Sequence, residues 1–284
     1  MLDIHVSSPR NLITKTDDFF TLGRWPALRS LALTKLNCVP NTYPLISSFL
    51  FAHTNLEILD LDIGNAATHL TLLDNTLPRI RELRCTKEFA RKLMICPTSD
   101  GSARPLEVLR GVTLSGKASE TPFYEQLRRH KIKRLEASGF TEFEDVKRLV
   151  EYIPHVTWLD VGKKLNSATT LAPFMNTTNV VDWANLLTTL PELTTFHGVR
   201  FFYEAPLSGN GISGESNSSV AASASYRSKI KKNDEVASVL YWKCPKLRRV
   251  DCWGNGEDEA GWKRVIILSK DGEKFKWDVK RVKA

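Results

Sequence analysis

The sequence predicts an α/β fold: a solenoid, or horseshoe, with one parallel curved sheet, helices along its outer side and a β-hairpin at its C-terminal end. Three observations predict it. An L-x-x-L-x-L-like apolar spacing recurs along the chain, with its first residue at Leu28, Leu56, Ile80, Leu106, Ile132, Val156, Leu193 and Leu247. Proline stands two positions ahead of that residue at Pro26, Pro78, Pro154, Pro191 and Pro245, and one ahead at Pro105. Between these signals lie segments whose apolar residues return at helical spacing. Alternating apolar residues bury one face of a strand. Proline lacks the backbone donor, so it ends a helix and extends the residue before it. Neither half of such a unit can bury its apolar side alone, and stacked copies share one core.

The first six signals are 28, 24, 26, 26 and 24 residues apart. That period falls in the range of leucine-rich repeats, roughly 20–29 residues, and makes the expected solenoid leucine-rich-repeat-like. The clearest unit runs from His130 to Gly162. Ile132, Leu135 and Ala137 form its strand face, and Gly139 lets the chain turn. Thr141 with Glu144 reads as a capping box, followed by Val146, Leu149, Val150 and Ile153 on one helical face. Pro154 stops the helix, and Val156, Leu159 and Val161 begin the next strand.

The remaining elements follow in order. Leu2, Ile4 and Val6 alternate as a strand whose repeat would begin upstream of Met1. Helices are expected at Tyr43–His53, Ala66–Thr76, Lys87–Ile95, Glu120–His130, Glu142–Ile153, Trp183–Leu190 and Glu235–Lys243, with Asp182 and Asp234 as N-caps of the last two. Residues 204–233, rich in Ser, Gly and Asn, read as a disordered insertion within a repeat. The pattern resumes beyond it, so residues 1–284 read as a single domain. At the C-terminus, residues 262–282 hold two β-rich runs around Asp271-Gly272, a type I′ hairpin signal. A charged hairpin laid on the open edge of the last strand would cap the solenoid.

Composition narrows the function classes. The chain has 42% hydrophobic and 25% charged residues, ordinary for a globular protein, and its net charge of +8 favours an acidic partner or nucleic acid without bearing on the fold. No apolar run reaches the ~20 residues of a membrane span, and the N-terminus lacks a secretory pattern. Five scattered cysteines suit reduced thiols in the cytoplasm or nucleus. The glycine motif Gly209–Gly214 opens no helix, so it lacks the context of a dinucleotide fingerprint. There is no C-x-x-C, no H-x-x-x-H and no G-x-S-x-G. No catalytic, cofactor or metal site is therefore expected, and the chain does not read as an enzyme.

What remains is the concave sheet face. The side chains between the strand leucines include Arg84, Arg110, Glu136, Asp160, His197 and Asp251, with Arg134, Trp158 and Arg249 beside them. Arginine with an aromatic is the composition of binding hot spots. The competing reading is a solvated face whose Arg and Glu pair across strands.

Irregular helix–Pro-x-Leu–strand units of about 25 residues, a Ser-rich insertion and a Trp-bearing hairpin tail together resemble the fungal F-box/leucine-rich-repeat proteins. The resemblance implies a substrate-recognition subunit whose F-box docks on the adaptor of a cullin–RING ubiquitin ligase while its repeats hold the substrate. The N-terminal stretch lacks the Leu-Pro start and amphipathic helices of an F-box, which would then lie upstream. The expected function is a non-enzymatic protein–protein interaction scaffold with a protein partner on the concave face. The alternative is a nucleic-acid-binding protein that uses the basic segment Trp262–Ala284, where eight Lys/Arg meet three Asp/Glu.

Overall fold

The computed structural model describes residues 2–7, 17–36, 38–64, 66–162, 177–203, 219–252, 262–271 and 274–283. Among the described residues the chain is α/β, with eleven strands in one mostly parallel, open sheet whose order is the order of the sequence. It divides into two compact units, Met1–Gly139 and Phe140–Ala284, where the sequence reads as a single domain. The boundary falls inside the clearest repeat.

The first unit holds β1 (Leu2–Ser7), β2 (Leu28–Thr34), β3 (Ile58–Leu61), β4 (Glu82–Arg84), β5 (Val108–Thr113) and β6 (Arg134–Ser138), each parallel to the next. Leu31, Leu59, Leu83, Leu109 and Leu135 pair in register as one fully buried ladder. The apolar residue that opens each signal serves a different purpose from the ladder. In β3 to β6 it sits two residues ahead of the strand, buried. The Leu28, Leu56 and Ile80 N–H groups donate to the carbonyls of Trp25, His53 and Leu77. Each closes the turn that feeds a strand, where the preceding proline or helix end leaves backbone groups to satisfy.

Around this sheet pack α1 (Asp17–Leu22), α2 (Tyr43–Ala52), α3 (Ala66–His69), α4 (Lys87–Ile95) and α5 (Thr121–His130). The spacing does not reveal α1, whose Phe20 is buried in a ring cluster with Phe19 and Phe49. The helix expected over Ala66–Thr76 is a single turn. Asn75 and Leu77 both take positive φ, and Leu77 precedes Pro78, a position that disfavours helix.

The second unit holds α6 (Phe143–Val150), β7 (Trp158–Asp160), α7 (Thr177–Leu187), β8 (Thr195–Phe202), α8 (Ser219–Lys243), β9 (Arg249–Cys252), β10 (Trp262–Asp271) and β11 (Lys274–Lys283). Strands β7, β8 and β9 are parallel. The hairpin β10–β11 joins β9 antiparallel. The cap of α6 lies one residue later than Thr141–Glu144 suggests: the Asp145 carboxylate accepts the Thr141 and Glu142 N–H groups. Helix α7 starts at Thr177, so Asp182 stands within it rather than at its cap. Asp234 likewise lies inside α8. Residues 219–233, half of the stretch read as disordered, are helical; residues 204–218 and the turn at 272–273 lie outside the described residues. Alanine and lysine favour helix without creating an apolar period. The packed end of α8 anchors the rest through Val236, Ala237 and Leu240 and through Asn233, whose amide pairs with both backbone groups of Tyr203.

Candidate functional site: the sheet face away from the leucine core

Side chains alternate across a strand, so the residues between the ladder leucines share the opposite face. In the first unit they form an ion-pair lattice. Arg84 Nη1 stands 3.4 Å from Asp60 Oδ2, Arg110 Nη1 3.3 Å from Glu82 Oε1 and Arg110 Nε 2.9 Å from Glu136 Oε1. Arg134 Nη2 reaches the same Glu136 oxygen at 2.7 Å. The expected basic centre at Arg84, Arg110 and Arg134 is thus matched by three carboxylates, Asp60, Glu82 and Glu136, with three of the four pairs running across strands and Arg134–Glu136 lying within β6. Backbone geometry contributes to it. The register shifts between Leu109 and Val112, so that Arg110 and Gly111 oppose the single Glu136. Gly111 takes φ +76 there, a bulge conformation that costs glycine little. Burial alone would raise the Glu136 pKa, but its hydrogen bonds and charge pairing with Arg110 and Arg134 hold it below the usual carboxylate value. At Asp60 burial prevails over Arg84 and Arg110 and raises it. Arg84 remains 57% exposed, and exposed pairs of this kind contribute little stability.

A cleft of about 370 Å³ opens at the C-terminal ends of these strands, where Leu61, Cys85 and Gly111 line it beside Lys35, Asp60, Asp62, Arg84 and Thr86.

In the second unit Trp158, Thr195 and Arg249 are register partners, and Asp160 pairs with His197. His197 is 2% exposed. Its Nδ1 lies 2.6 Å from Asp251 Oδ1, and Trp158 packs on its ring at 5.2 Å. The Gly198 N–H donates to the other Asp251 oxygen at 2.7 Å. Phe196 pairs with Val250, and the next rung joins Arg200 to Asp251, so residues 197–199 bulge out of the ladder. Gly198 has φ +100, and a Cβ there would come within 2.6 Å of the Gly162 carbonyl. The Asp251 carboxylate clamps this bulge, and Asp160 accepts the Gly162 N–H at 2.8 Å. His197 is therefore a buried structural group rather than a contact residue, whereas Trp158 and Arg249 keep part of their surface.

Two buried charges carry no periodic signal and escape sequence reasoning. Glu120 accepts the Ser115 and Gly116 N–H groups, the Tyr124 hydroxyl and the Lys87 ammonium. Arg104 donates to the carbonyls of Thr76, Leu93 and Cys96. Both belong to packing.

Burial pushes the Cys85 thiol far up and Cys244 up to about 11, which makes both poor nucleophiles. Among the described residues no group of three His, Cys, Asp or Glu side chains could hold a metal ion, and no helix is long and apolar enough to cross a membrane. The motif at Gly209–Gly214 lies outside the described residues. No protein-family model, curated protein or solved structure matches the chain.

Proposed function

We propose that the chain is a non-enzymatic interaction scaffold, a leucine-rich-repeat-like solenoid that binds a protein partner on the sheet face opposite its leucine ladder. The observation that carries this reading is a charged, half-exposed face on strands whose other face is fully buried. Arg84 offers the most accessible cation to an acidic partner group, and Trp158 adds an aromatic anchor in the second unit. Exchange of cross-strand ion pairs for intermolecular ones favours specificity over raw affinity. The narrower role is substrate recognition for a cullin–RING ubiquitin ligase, in the cytoplasm or nucleus; it rests on the sequence resemblance and requires the ligase adaptor to co-purify with the full-length product.

Cross-linking mass spectrometry on wild type, Arg84→Glu and Trp158→Ala tests the face. Cross-links to a common partner should map to this face and fall severalfold in each variant, with melting temperature reported alongside. Undiminished cross-linking in both variants places the site elsewhere.

A second reading, nucleic-acid binding, is favoured by the exposed Arg227, Lys229, Lys231 and Lys232 on α8 and by Lys276, Lys280 and Arg281 on β11. Such a strip would track phosphates without base contacts.

A further inference from the structure

Helices α6 and α7 of the second unit line a groove of about 730 Å³ on the helix-bearing side. Phe143, Val150 and Leu186 give it an apolar floor, and Glu144, Glu151 and Asp182 an acidic rim. The Phe143 ring meets Trp183 edge-on at 4.9 Å, which fixes one side of the floor.

The rim charges are not equivalent. Lys147 Nζ lies 3.2 Å from Glu144 Oε2, so that pair is neutral. Lys243 Nζ, the cation near the far side, donates to the Asn185 amide oxygen at 2.7 Å. Glu151 and Asp182 are exposed and make no ion pair among the described residues. With Lys147 and Lys243 set against Glu144, Glu151 and Asp182, the groove keeps a net negative charge on a chain whose net charge is +8. Cationic ligands are disfavoured by the molecule as a whole and favoured here, which is a local signal rather than a composition effect.

We propose that this groove docks an amphipathic helix of a partner protein, which sets apolar side chains on Phe143, Val150 and Leu186 and Lys or Arg against Glu151 and Asp182. Helix-in-groove recognition has this form: apolar anchors at helical spacing with charges flanking them. Glu144 to Glu151, the residue that caps α6, spans about 10 Å, so the occupant needs two to three turns. This docking is separate from the open sheet face, and either reading survives failure of the other.

The probe is a fluorescein-labelled three-turn peptide with Leu at i, i+4 and i+7 and Arg on the flanks, titrated with the full chain by anisotropy. A control peptide carries Glu in place of each Arg. The Arg peptide should bind the wild type and the Glu peptide should not. Glu151→Lys/Asp182→Lys should raise Kd about tenfold or more, and Glu151→Gln/Asp182→Asn by a smaller factor in the same direction. If the reversal variant does not fold, the neutral pair alone decides. Absence of binding to the wild type, equal binding of both peptides, or an affinity unchanged in the folded variants overturns the proposal.

Discussion

Arg104 is 3% exposed, and no carboxylate among the described residues pairs with it. Burial lowers its pKa, partly offset by its bond to Cys96. Its guanidinium instead collects backbone carbonyls: Leu93 and Cys96 at the end of α4, where carbonyls lack intrahelical donors, and Thr76 in the preceding turn. Only the fork of an arginine reaches three such groups at once. Arg104→Met keeps most of the volume but leaves those oxygens without a donor, and we expect a loss of about 2–3 kcal/mol at the urea midpoint. A neutral result would mean that desolvating the cation costs as much as its bonds return. Arg110 belongs to the same scale. Because it bridges Glu82 and Glu136, Arg110→Glu would crowd three carboxylates and confuse binding with stability. Arg84, held by one long pair, is the cleaner probe of the face.

At the scale of elements, two helices of the first unit end in the same device. His53 at the end of α2 sets Nδ1 2.7 Å from the Phe49 carbonyl, and the Trp25 N–H donates to its Nε2. That arrangement requires a neutral ring with its proton on Nδ1. His130 at the end of α5 sets Nδ1 2.9 Å from the Gln126 carbonyl. Burial is the main cause that lowers both pKa values. A lowered folded pKa means that the unfolded chain binds the proton better, so this stability is present above the ordinary histidine value of about 6.5 and is lost as pH falls through the folded value. Glu120 adds a later step of the same sign. Burial would raise its pKa, but Lys87, the Ser115 N–H and Tyr124 together lower it, and Glu136 behaves alike. The urea midpoint should therefore fall as pH drops below about 6.5 and fall further below about 4.3. A midpoint flat between about pH 7 and 5 would show that neither imidazole is held neutral.

For the whole molecule, the net charge of +8 poses the question that separates the two functional readings. Phosphate-driven binding weakens by a factor set by the number of contacts, with log K falling about 0.9 per contact on duplex DNA and about 0.7 on single strands for each decade of salt. Filter binding to generic single-stranded RNA and duplex DNA at low salt, then at physiological salt, tests it. A steep loss supports the basic strip of α8 and β11. No retention at low salt ends the nucleic-acid reading and leaves the protein-binding scaffold.

The leucine ladder was legible in the chain because burial on one side of a strand imposes a period of two, and prolines announced most of the turns, though not those ahead of Leu56 and Ile132. Leu31, Leu59, Leu83, Leu109 and Leu135 could be placed in neighbouring parallel strands on that basis alone. So could the membership of the opposite face, since alternation assigns every intervening residue to it. What those residues do there was not legible. Whether Arg110 faces water or Glu136 depends on a bulge at Gly111, and whether His197 is exposed depends on three residues looping out beside Asp251. Both are set by register between strands distant in sequence. Helix α8 was underestimated for the reverse reason: its early turns carry no apolar period and are held by Asn233 and the packed residues beyond. Local spacing, then, determined the strands and their buried side, because one-sided burial is a local rule; pairing and accessibility were decided only in three dimensions, because each depends on which partner the packed chain brings within reach.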